Sequence, residues 1–294
     1  MYINDLSNVS SVLFSMLYAD DTNVFVTGKS LEDLITIINI ELDKIVDWLN
    51  ANKLSLNVSK THYIVFSLSR KRISNQNDVQ IGDQVVSRVS STKFVGVVID
   101  EKLSWSQHVQ SVKNKVSKGI GILSKARKCL SISTLTTLYY SFIYPHLTYC
   151  IEVWGSASKL HLSALHKTQK RIVRIIKSLP YKASTMNAFN DLKVMNIHTL
   201  YTYRIVLFMF KYMRGMLPDV YSNYFQFNYD VHQYSTRQVN QLHLIFCNKS
   251  TTQKSVKYIG AILWNIYSLK IPYICSLTSY KRALKSYLIL EQFH

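Results

Sequence analysis

Glycine, proline and cysteine are all scarce in this chain. Its 294 residues include eight glycines, four prolines and four cysteines. Typical usage is about 7 % glycine and 5 % proline, so few tight turns are expected and long helices are favoured. The cysteines form no Cys-x-x-Cys pair and have no histidine at zinc-finger spacing. That pattern argues against a zinc site and fits a reducing compartment.

Long apolar runs are missing as well. No stretch approaches the ~18 residues that predict a membrane-spanning helix. No amino-terminal segment has the pattern of a secretory signal. The sequence therefore predicts an intracellular protein, cytoplasmic or nuclear, with no membrane partner and no secretion. Hydrophobic residues at 48 % and charged residues at 18 % indicate a folded chain of one to three domains rather than a disordered one.

Acidic residues are few and unevenly placed. The chain has 35 Lys and Arg against 17 Asp and Glu, which gives a net charge of +18. Residues 1–50 are nevertheless acidic, with eight acids and two lysines, whereas residues 102–182 contain fourteen Lys or Arg and one acid. An acidic region followed by a basic one suits a protein that binds metal ions in one region and a phosphate backbone in the other. The alternatives are a solvated surface or a preference for membrane surfaces.

Two adjacent carboxylates, Asp20 and Asp21, are the most informative feature. Like charges at this spacing repel, and a divalent cation between them relieves the repulsion. An apolar run from Val12 to Leu17 precedes the pair, and a Thr- and Val-containing run from Thr22 to Thr27 follows it. The pattern predicts a β-hairpin with the acids at its tip, where Mg²⁺ could be held. The alternative is an ordinary solvated turn.

Periodicity predicts a mixed architecture. Apolar residues at helical spacing predict a helix over 31–49, with Ser30 and Asp33 as a capping box. Strands are predicted at Tyr63–Phe66 and Phe94–Ile99, the second with Gly96 inside as a bulge or a point of close backbone approach. From Ser104 the period is helical. Helices are predicted over residues 104–130, 134–144 and 160–177, as two helices in 186–216, and over 259–266 and 280–288, with irregular structure in 221–248.

The sequence resembles the reverse transcriptases of non-LTR retrotransposons of the jockey-like type. Tyr18-Ala19-Asp20-Asp21 is similar to their metal-binding hairpin, and residues 48–57 with Lys60-Thr61 are similar to the next palm motif. Residues 94–108 are similar to the primer-grip region and its exit into the thumb. Residues 149–155, 169–176 and 260–265 are similar to parts of the family's carboxyl-terminal extension. The matches follow the family's order along nearly the whole chain.

The resemblance implies an α+β fold with three parts. Residues 1–103 would form a partial polymerase palm with a small antiparallel sheet and a helix, residues 104–180 a basic helical thumb, and residues 181–294 a helical extension. Asp20 and Asp21 would bind Mg²⁺ or Mn²⁺, and Lys60 would donate a proton to the leaving pyrophosphate. Tyr18, Phe94 and Gly96 would contact nucleotide or primer. The partners would be an RNA template and its DNA primer duplex.

Basic helical residues are the candidates for contact with the nucleic-acid backbone. They are Lys113, Lys118, Lys167, Lys170, Arg171, Arg174 and Lys177. The family's third metal-binding aspartate and its triphosphate-binding fingers lie upstream of the hairpin, where this sequence has seventeen residues before Tyr18. The isolated chain is therefore expected to be catalytically incomplete. Two further interpretations stay open: a nucleic-acid-binding remnant without chemistry, and a helical interaction module with an incidental Asp-Asp turn.

Overall fold

The computed structural model describes residues 3–19, 21–67, 78–231, 237–271 and 276–293. Contacts divide the chain into two units, Met1–Leu103 and Ser104–His294. The first unit combines short strands with one long helix, and the described part of the second consists mainly of helices. The predicted α+β class is confirmed. The assignment of these parts to palm, thumb and extension stays a prediction.

The first unit is built around one amphipathic helix. Strands β1 (Phe14–Tyr18) and β2 (Asp21–Phe25) form an antiparallel pair, and helix α1 (Leu31–Ala51) follows. Helix α1 contributes Ile45 to a cluster with Leu6 and Leu13. It contributes Ile35 to a second cluster, with Val79, Ile81 and Val86. The remaining strands are β3 (His62–Tyr63), β4 (Gln80–Ile81), β5 (Gln84–Val85), β6 (Ser87–Arg88), β7 (Ser91–Phe94) and β8 (Val97–Asp100).

Pairing among these later strands is local except in one case. β4 pairs with β5 and β7 with β8, both antiparallel, whereas β3 and β6 run parallel. The predicted strand Phe94–Ile99 is wrong: β7 and β8 form a hairpin, and Val95 and Gly96 are its turn, with φ of 42° and 80°. Two successive residues with positive φ are typical of the two-residue turn that joins twisted antiparallel strands.

Two smaller predictions in this unit are also wrong. The predicted buried strand Tyr63–Phe66 ends at Tyr63, and Phe66 is exposed. A short strand with one parallel partner does not bury the apolar residues that follow it. Ser30 precedes α1 in extended conformation but its side chain makes no capping hydrogen bond. The basic run Arg70-Lys71-Arg72, predicted as a loop, lies outside the described residues.

Helix α1 also buries one acidic residue, although the helical spacing predicts that the acids of this helix face solvent. Glu41 is 5 % exposed and its carboxylate accepts a hydrogen bond from Lys44 at 2.7 Å. That bond, with a contribution from the Ser10 hydroxyl, lowers the pKa of Glu41. Ser10 in turn accepts from the backbone N–H groups of Val12 and Leu13. Glu41 therefore contributes to anchoring the segment that leads into β1.

The second unit packs long helices around a large apolar core. Its largest fully buried side chains include Trp154, Tyr139 and Phe189. Its helices are α2 (Ser106–Ala126), α3 (Ile132–Phe142), α4 (Tyr144–Thr148), α5 (Ile151–Trp154), α6 (Lys159–Ile176), α7 (Met186–Asp191), α8 (Ile197–Met213), α9 (Asn228–Val231), α10 (Ser250–Gln253), α11 (Val256–Lys270) and α12 (Leu277–Glu291). No helix among the described residues is long and apolar enough to span a bilayer.

Helix positions in this unit follow the predicted periodicity, with differences at the ends. The buried face of α2 includes Val109, Val112, Val116, Ile120 and Leu123, as predicted. Leu130, predicted on that face, lies beyond the end of the helix and is exposed. Pro145 does not end the helical region but opens α4, since its missing N–H is tolerated in a first turn. Helices α11 and α12 are longer than predicted.

Candidate metal hairpin and nucleic-acid interface

The predicted hairpin is present. β1 and β2 pair in register from Phe14 opposite Phe25 to Tyr18 opposite Asp21, so Ala19 and Asp20 are the two connecting residues. Ala19 has a φ of 54°, in the left-handed region that two-residue hairpin turns require. Asp21 is the first residue of β2 and is exposed. Asp20 lies outside the described residues, so its assignment as a metal ligand stays a prediction.

Residues alternate between the two faces of this hairpin. Leu17 and Val24 pack against the cluster of Leu6, Leu13 and Ile45. The opposite face includes Tyr18, which is 59 % exposed, and its cross-strand partner Asp21. Cross-strand partners lie on the same face of a sheet. The hairpin therefore presents an aromatic side chain and a carboxylate together to solvent.

A complete metal site is not assembled by the described residues. Across the described ranges, no three or more His, Cys, Asp or Glu side chains lie close enough to hold a metal ion together. The one described carboxylate of the pair, Asp21, is accessible and chemically suited to Mg²⁺ or Mn²⁺. Its neighbour Asp20 would supply the second carboxylate. The fit of a metal to this hairpin thus depends on the Asp20-Asp21 pair and on further ligands.

His62 connects the segment that contains Lys60 to the β7–β8 hairpin. Lys60 is exposed at the end of a 3-10 turn, Val58–Lys60. Two residues on, one ring nitrogen of His62 lies 3.3 Å from the Lys60 carbonyl oxygen, and the other hydrogen-bonds the Thr92 hydroxyl on β7. Phe94 ends β7 and Gly96 is in the turn that follows. His62, which the sequence patterns did not single out, thus links the Lys60 segment to the predicted primer-grip hairpin.

Three of the seven predicted basic residues meet at one groove. Lys113 on α2 and Lys167 and Arg171 on α6 line an opening of about 460 Å³ between these helices. The rest of the lining is Ser117, Ile120, Leu160, Ser163, Ala164 and Thr168. Helical spacing alone placed the α6 residues on one stripe, but only the packing of α2 on α6 adds Lys113 to them.

The other four basic residues have different surroundings. Lys118 is exposed on α2. Lys170 is half-buried close to His166, whose pKa is lowered mainly by burial and further by the Lys170 charge. The Arg174 guanidinium donates to the Ala183 carbonyl at 3.0 Å. The Lys177 ammonium pairs with Asp191 at 2.9 Å. Arg174 and Lys177 therefore have intramolecular partners, and the groove residues are the stronger candidates for backbone contact.

The carboxyl-terminal motifs have structural roles that account for their composition. In residues 149–155 the Trp154 indole donates to the Tyr149 carbonyl at 2.7 Å and Glu152 pairs with Arg204 at 2.8 Å. In residues 260–265 the Asn265 amide both accepts from the Leu242 N–H and donates to its carbonyl, each at 2.9 Å. A Cβ at Gly260 would lie 2.7 Å from the sulfur of Met209. These residues hold α5, α8 and α11 in place.

Comparisons with known proteins relate the chain to one class of polymerase. The chain is similar to RNA-directed DNA polymerases of non-LTR retrotransposons. It is 27 % identical over 181 residues to the polymerase from the mobile element jockey of Drosophila melanogaster, covering 60 % of this chain and 19 % of that protein. To the probable polymerase from transposon X-element of the same fly it is 26 % identical over 205 residues, covering 67 % and 22 %.

A third relative is more distant. It is the Pol polyprotein from the type-1 retrotransposable element R1 2 of Nasonia vitripennis, 22 % identical over 151 residues, covering 48 % of this chain and 36 % of that protein. The chain thus spans about a fifth of the length of the jockey and X-element polymerases. No protein-family model and no solved structure matches it. The resemblance to this class of polymerase is confirmed.

Proposed function

We propose that this chain forms the metal-binding hairpin, primer-grip and thumb portions of an RNA-directed DNA polymerase of a non-LTR retrotransposon. The observation that supports this most directly is the antiparallel hairpin whose tip is Tyr18-Ala19-Asp20-Asp21. It is supported further by the similarity to the jockey and X-element polymerases. The chain spans only part of those proteins, so its role in a complete polymerase is part of the proposal.

The proposed chemistry is nucleotidyl transfer from a deoxynucleoside triphosphate to a primer end, directed by an RNA template. Bound Mg²⁺ or Mn²⁺ would activate the primer hydroxyl and stabilise charge on the transferred phosphoryl group. Asp20 would bind the metals, and Asp21 would bind more weakly or orient the metal-bound water. Tyr18 would pack beneath the newly formed base pair, and Phe94 and Gly96 would hold the primer end. Lys60 would supply the proton to the departing pyrophosphate.

A second candidate is a protein that binds nucleic acid without performing chemistry. The basic groove between α2 and α6 favours it, because the groove needs no metal and no triphosphate to bind a phosphate backbone. Both candidates predict duplex binding. Only the polymerase predicts that the acidic pair matters for product formation.

Primer extension with a fused chain separates the two candidates. The part of the jockey polymerase that precedes its matched region would be fused ahead of Met1, and extension of a DNA primer on an RNA template measured. We expect extension by the fusion and none by the 294 residues expressed alone, since two carboxylates supply too few ligands for a two-metal site. Asp20→Asn should lower the rate at least about 100-fold, and Lys60→Ala should slow it without weakening duplex binding.

The matched control is Asp43→Asn, which removes the same charge from an exposed position on α1. It should leave extension unchanged. A fusion that folds and binds duplex but extends no primer would favour the binding-only candidate. Equal rates for the fusion and its Asp20→Asn form would exclude the proposed role of the hairpin.

A further inference from the structure

The groove between α2 and α6 concentrates positive charge without a counter-charge. Lys113, Lys167 and Arg171 line it. None of these three side chains has an ion pair or hydrogen bond with another described residue, in contrast to those of Arg174 and Lys177. The single acid between residues 102 and 182, Glu152, is paired with Arg204. Cations gathered in this way repel one another in the free protein, and a bound anion removes that repulsion.

The lining of the groove combines hydroxyl groups with apolar surface. Ser117 is exposed, and its hydroxyl has no hydrogen-bond partner among the described residues. Leu160, at the first turn of α6, is 76 % exposed, although leucine is usually buried. Ile120 is 5 % exposed and belongs to the buried face of α2. A ligand in this groove would therefore meet cations, a free hydroxyl and an uncovered apolar side chain.

Both walls of the groove belong to helices that pack into the apolar core. Val112 and Val116 on α2 and Leu165 and Ile172 on α6 are at most 3 % exposed and do not line the groove, so each helix is anchored through residues outside it. The cationic side chains project from this fixed frame. Groups held on packed helices lose less conformational freedom on binding than groups on a loop. The packing thus fixes the positions on the two helices from which the three cationic side chains extend.

We infer that this groove binds a segment of nucleic-acid backbone, with Lys113, Lys167 and Arg171 at its phosphates and Leu160 against a sugar. The inference rests on the proposed function and names the surface by which the second unit would hold a duplex. A volume of about 460 Å³ exceeds what a single phosphate ion needs, since one water molecule takes about 30 Å³. A free phosphate would also leave Leu160 without a partner. Binding by phosphates and sugars is independent of base sequence.

The test compares two charge-matched triple variants of the 294-residue chain. The groove variant is Lys113→Ala/Lys167→Ala/Arg171→Ala. The control, Lys115→Ala/Lys125→Ala/Arg127→Ala, removes the same charge from exposed positions that do not line the groove. Binding of a fluorescent RNA–DNA duplex would be followed by anisotropy between about 50 and 200 mM salt. We expect the groove variant to bind at least about tenfold more weakly than the control and to lower the salt slope by about 1 or more.

Leu160→Ala tests the sugar contact separately. Because no charge is lost, it should weaken duplex binding several-fold and leave the salt slope unchanged. Leu269→Ala is its control, since Leu269 on α11 is 78 % exposed and lies outside the groove. Equal binding by both leucine variants would overturn the assignment of a sugar to Leu160.

The outcomes distinguish this inference from the proposed function. If the wild-type chain binds duplex and the two triple variants behave alike, the groove assignment is wrong and duplex binding by the chain stands. If the wild type binds no duplex, duplex binding itself fails. Inorganic phosphate provides a third arm: shifts of the Ser163, Ala164 and Lys167 amide signals by phosphate, without duplex binding, would make the groove a small-anion site and overturn the backbone assignment.

Discussion

Gly155 is a position where the packing of two helices leaves no room for a methyl group. It ends α5, and a Cβ there would overlap the ring of Tyr201 on α8 and lie 2.6 Å from the Ile151 carbonyl oxygen. The φ of Gly155 is −66°, so the requirement for glycine is one of space rather than of backbone conformation. Burial of Tyr201 and the nearby ion pair of Glu152 with Arg204 leave little room for adjustment.

Gly155→Ala is therefore expected to destabilise the protein by about 1–3 kcal/mol, the usual cost of overpacking a core. Urea unfolding followed by circular dichroism measures the change. Gly121→Ala is the control, because a Cβ at Gly121 meets open space on the surface of α2. That substitution should stabilise by roughly 0.5–1 kcal/mol, since alanine is the better helix former. Equal midpoints for the two variants would contradict the proposed contact.

Residue roles that depend on distant partners were the hardest to predict. The stripe on α6 was visible in the helical spacing, but the partners of Arg174 and Lys177 lie in the segment after the helix. Likewise, the motif of residues 260–265 includes Asn265, but the two hydrogen bonds of its side chain to Leu242 exist only in the folded chain. Charge and period identify a face, and tertiary packing decides which of its groups remain free.

The β7–β8 hairpin contains a strained residue in its turn. Val95 has a φ of 42°, although β-branched residues rarely adopt the left-handed region. Gly96 follows with a φ of 80° at no steric cost. Asn-Gly is the sequence that best suits such a turn. The valine is thus a source of backbone strain beside the proposed primer-grip residues.

Val95→Asn should relieve this strain and raise the free energy of unfolding by about 1 kcal/mol. Val95→Ile keeps the β-branched side chain and is expected to give no gain. The measurement is the urea midpoint of each variant, with duplex binding as a check that the fold is retained. A loss of stability in the asparagine variant would show that the valine side chain contributes more through packing than it costs in the turn.

Elements with a strong period were predicted well, and short apolar runs were not. Helices α1, α2 and α6 fall within a few residues of their predicted bounds, because a stripe maintained over five turns admits one interpretation. The β1–β2 hairpin was predicted from two apolar runs with a polar tip. The prediction of one strand over Phe94–Ile99 is wrong because valine and isoleucine are common both within a single strand and at the ends of two paired strands. Only the backbone conformation at Gly96 shows that the chain turns there.

The whole chain combines an acidic first fifty residues with a basic remainder. The unit boundary after Leu103 lies where the change from strand to helix period was predicted, although the roles of palm and thumb stay predictions. The second unit also contains the groups that should govern its response to acid. Burial lowers the pKa of His108 and of His166 to about 4, and lowers the pKa of His146 and of His198 to a lesser extent.

These shifts predict a loss of stability in mild acid. A histidine in the unfolded chain takes up its proton near pH 6.5, whereas folded His166 stays neutral until about pH 4. Between those values the unfolded state binds more protons, so the free energy of unfolding falls as the pH falls and is fully recovered above pH 6.5. At pH 5 the loss is roughly 1–2 kcal/mol for each of His108 and His166 after allowance for partial solvent exposure.

Urea unfolding at pH 7 and pH 5 tests the predicted loss of stability in mild acid for the whole molecule. One substitution tests whether His166 contributes to that loss. His166 stacks on Phe189 with ring centroids 6.0 Å apart and lies 5.8 Å from the His198 ring. His166→Leu places an apolar side chain there and removes the titrating group, so the stability of this variant should fall less between pH 7 and pH 5 than that of the wild type. His161→Leu, in the first turn of the same helix, is the control. An unchanged pH dependence in the His166 variant would assign the acid sensitivity to other groups.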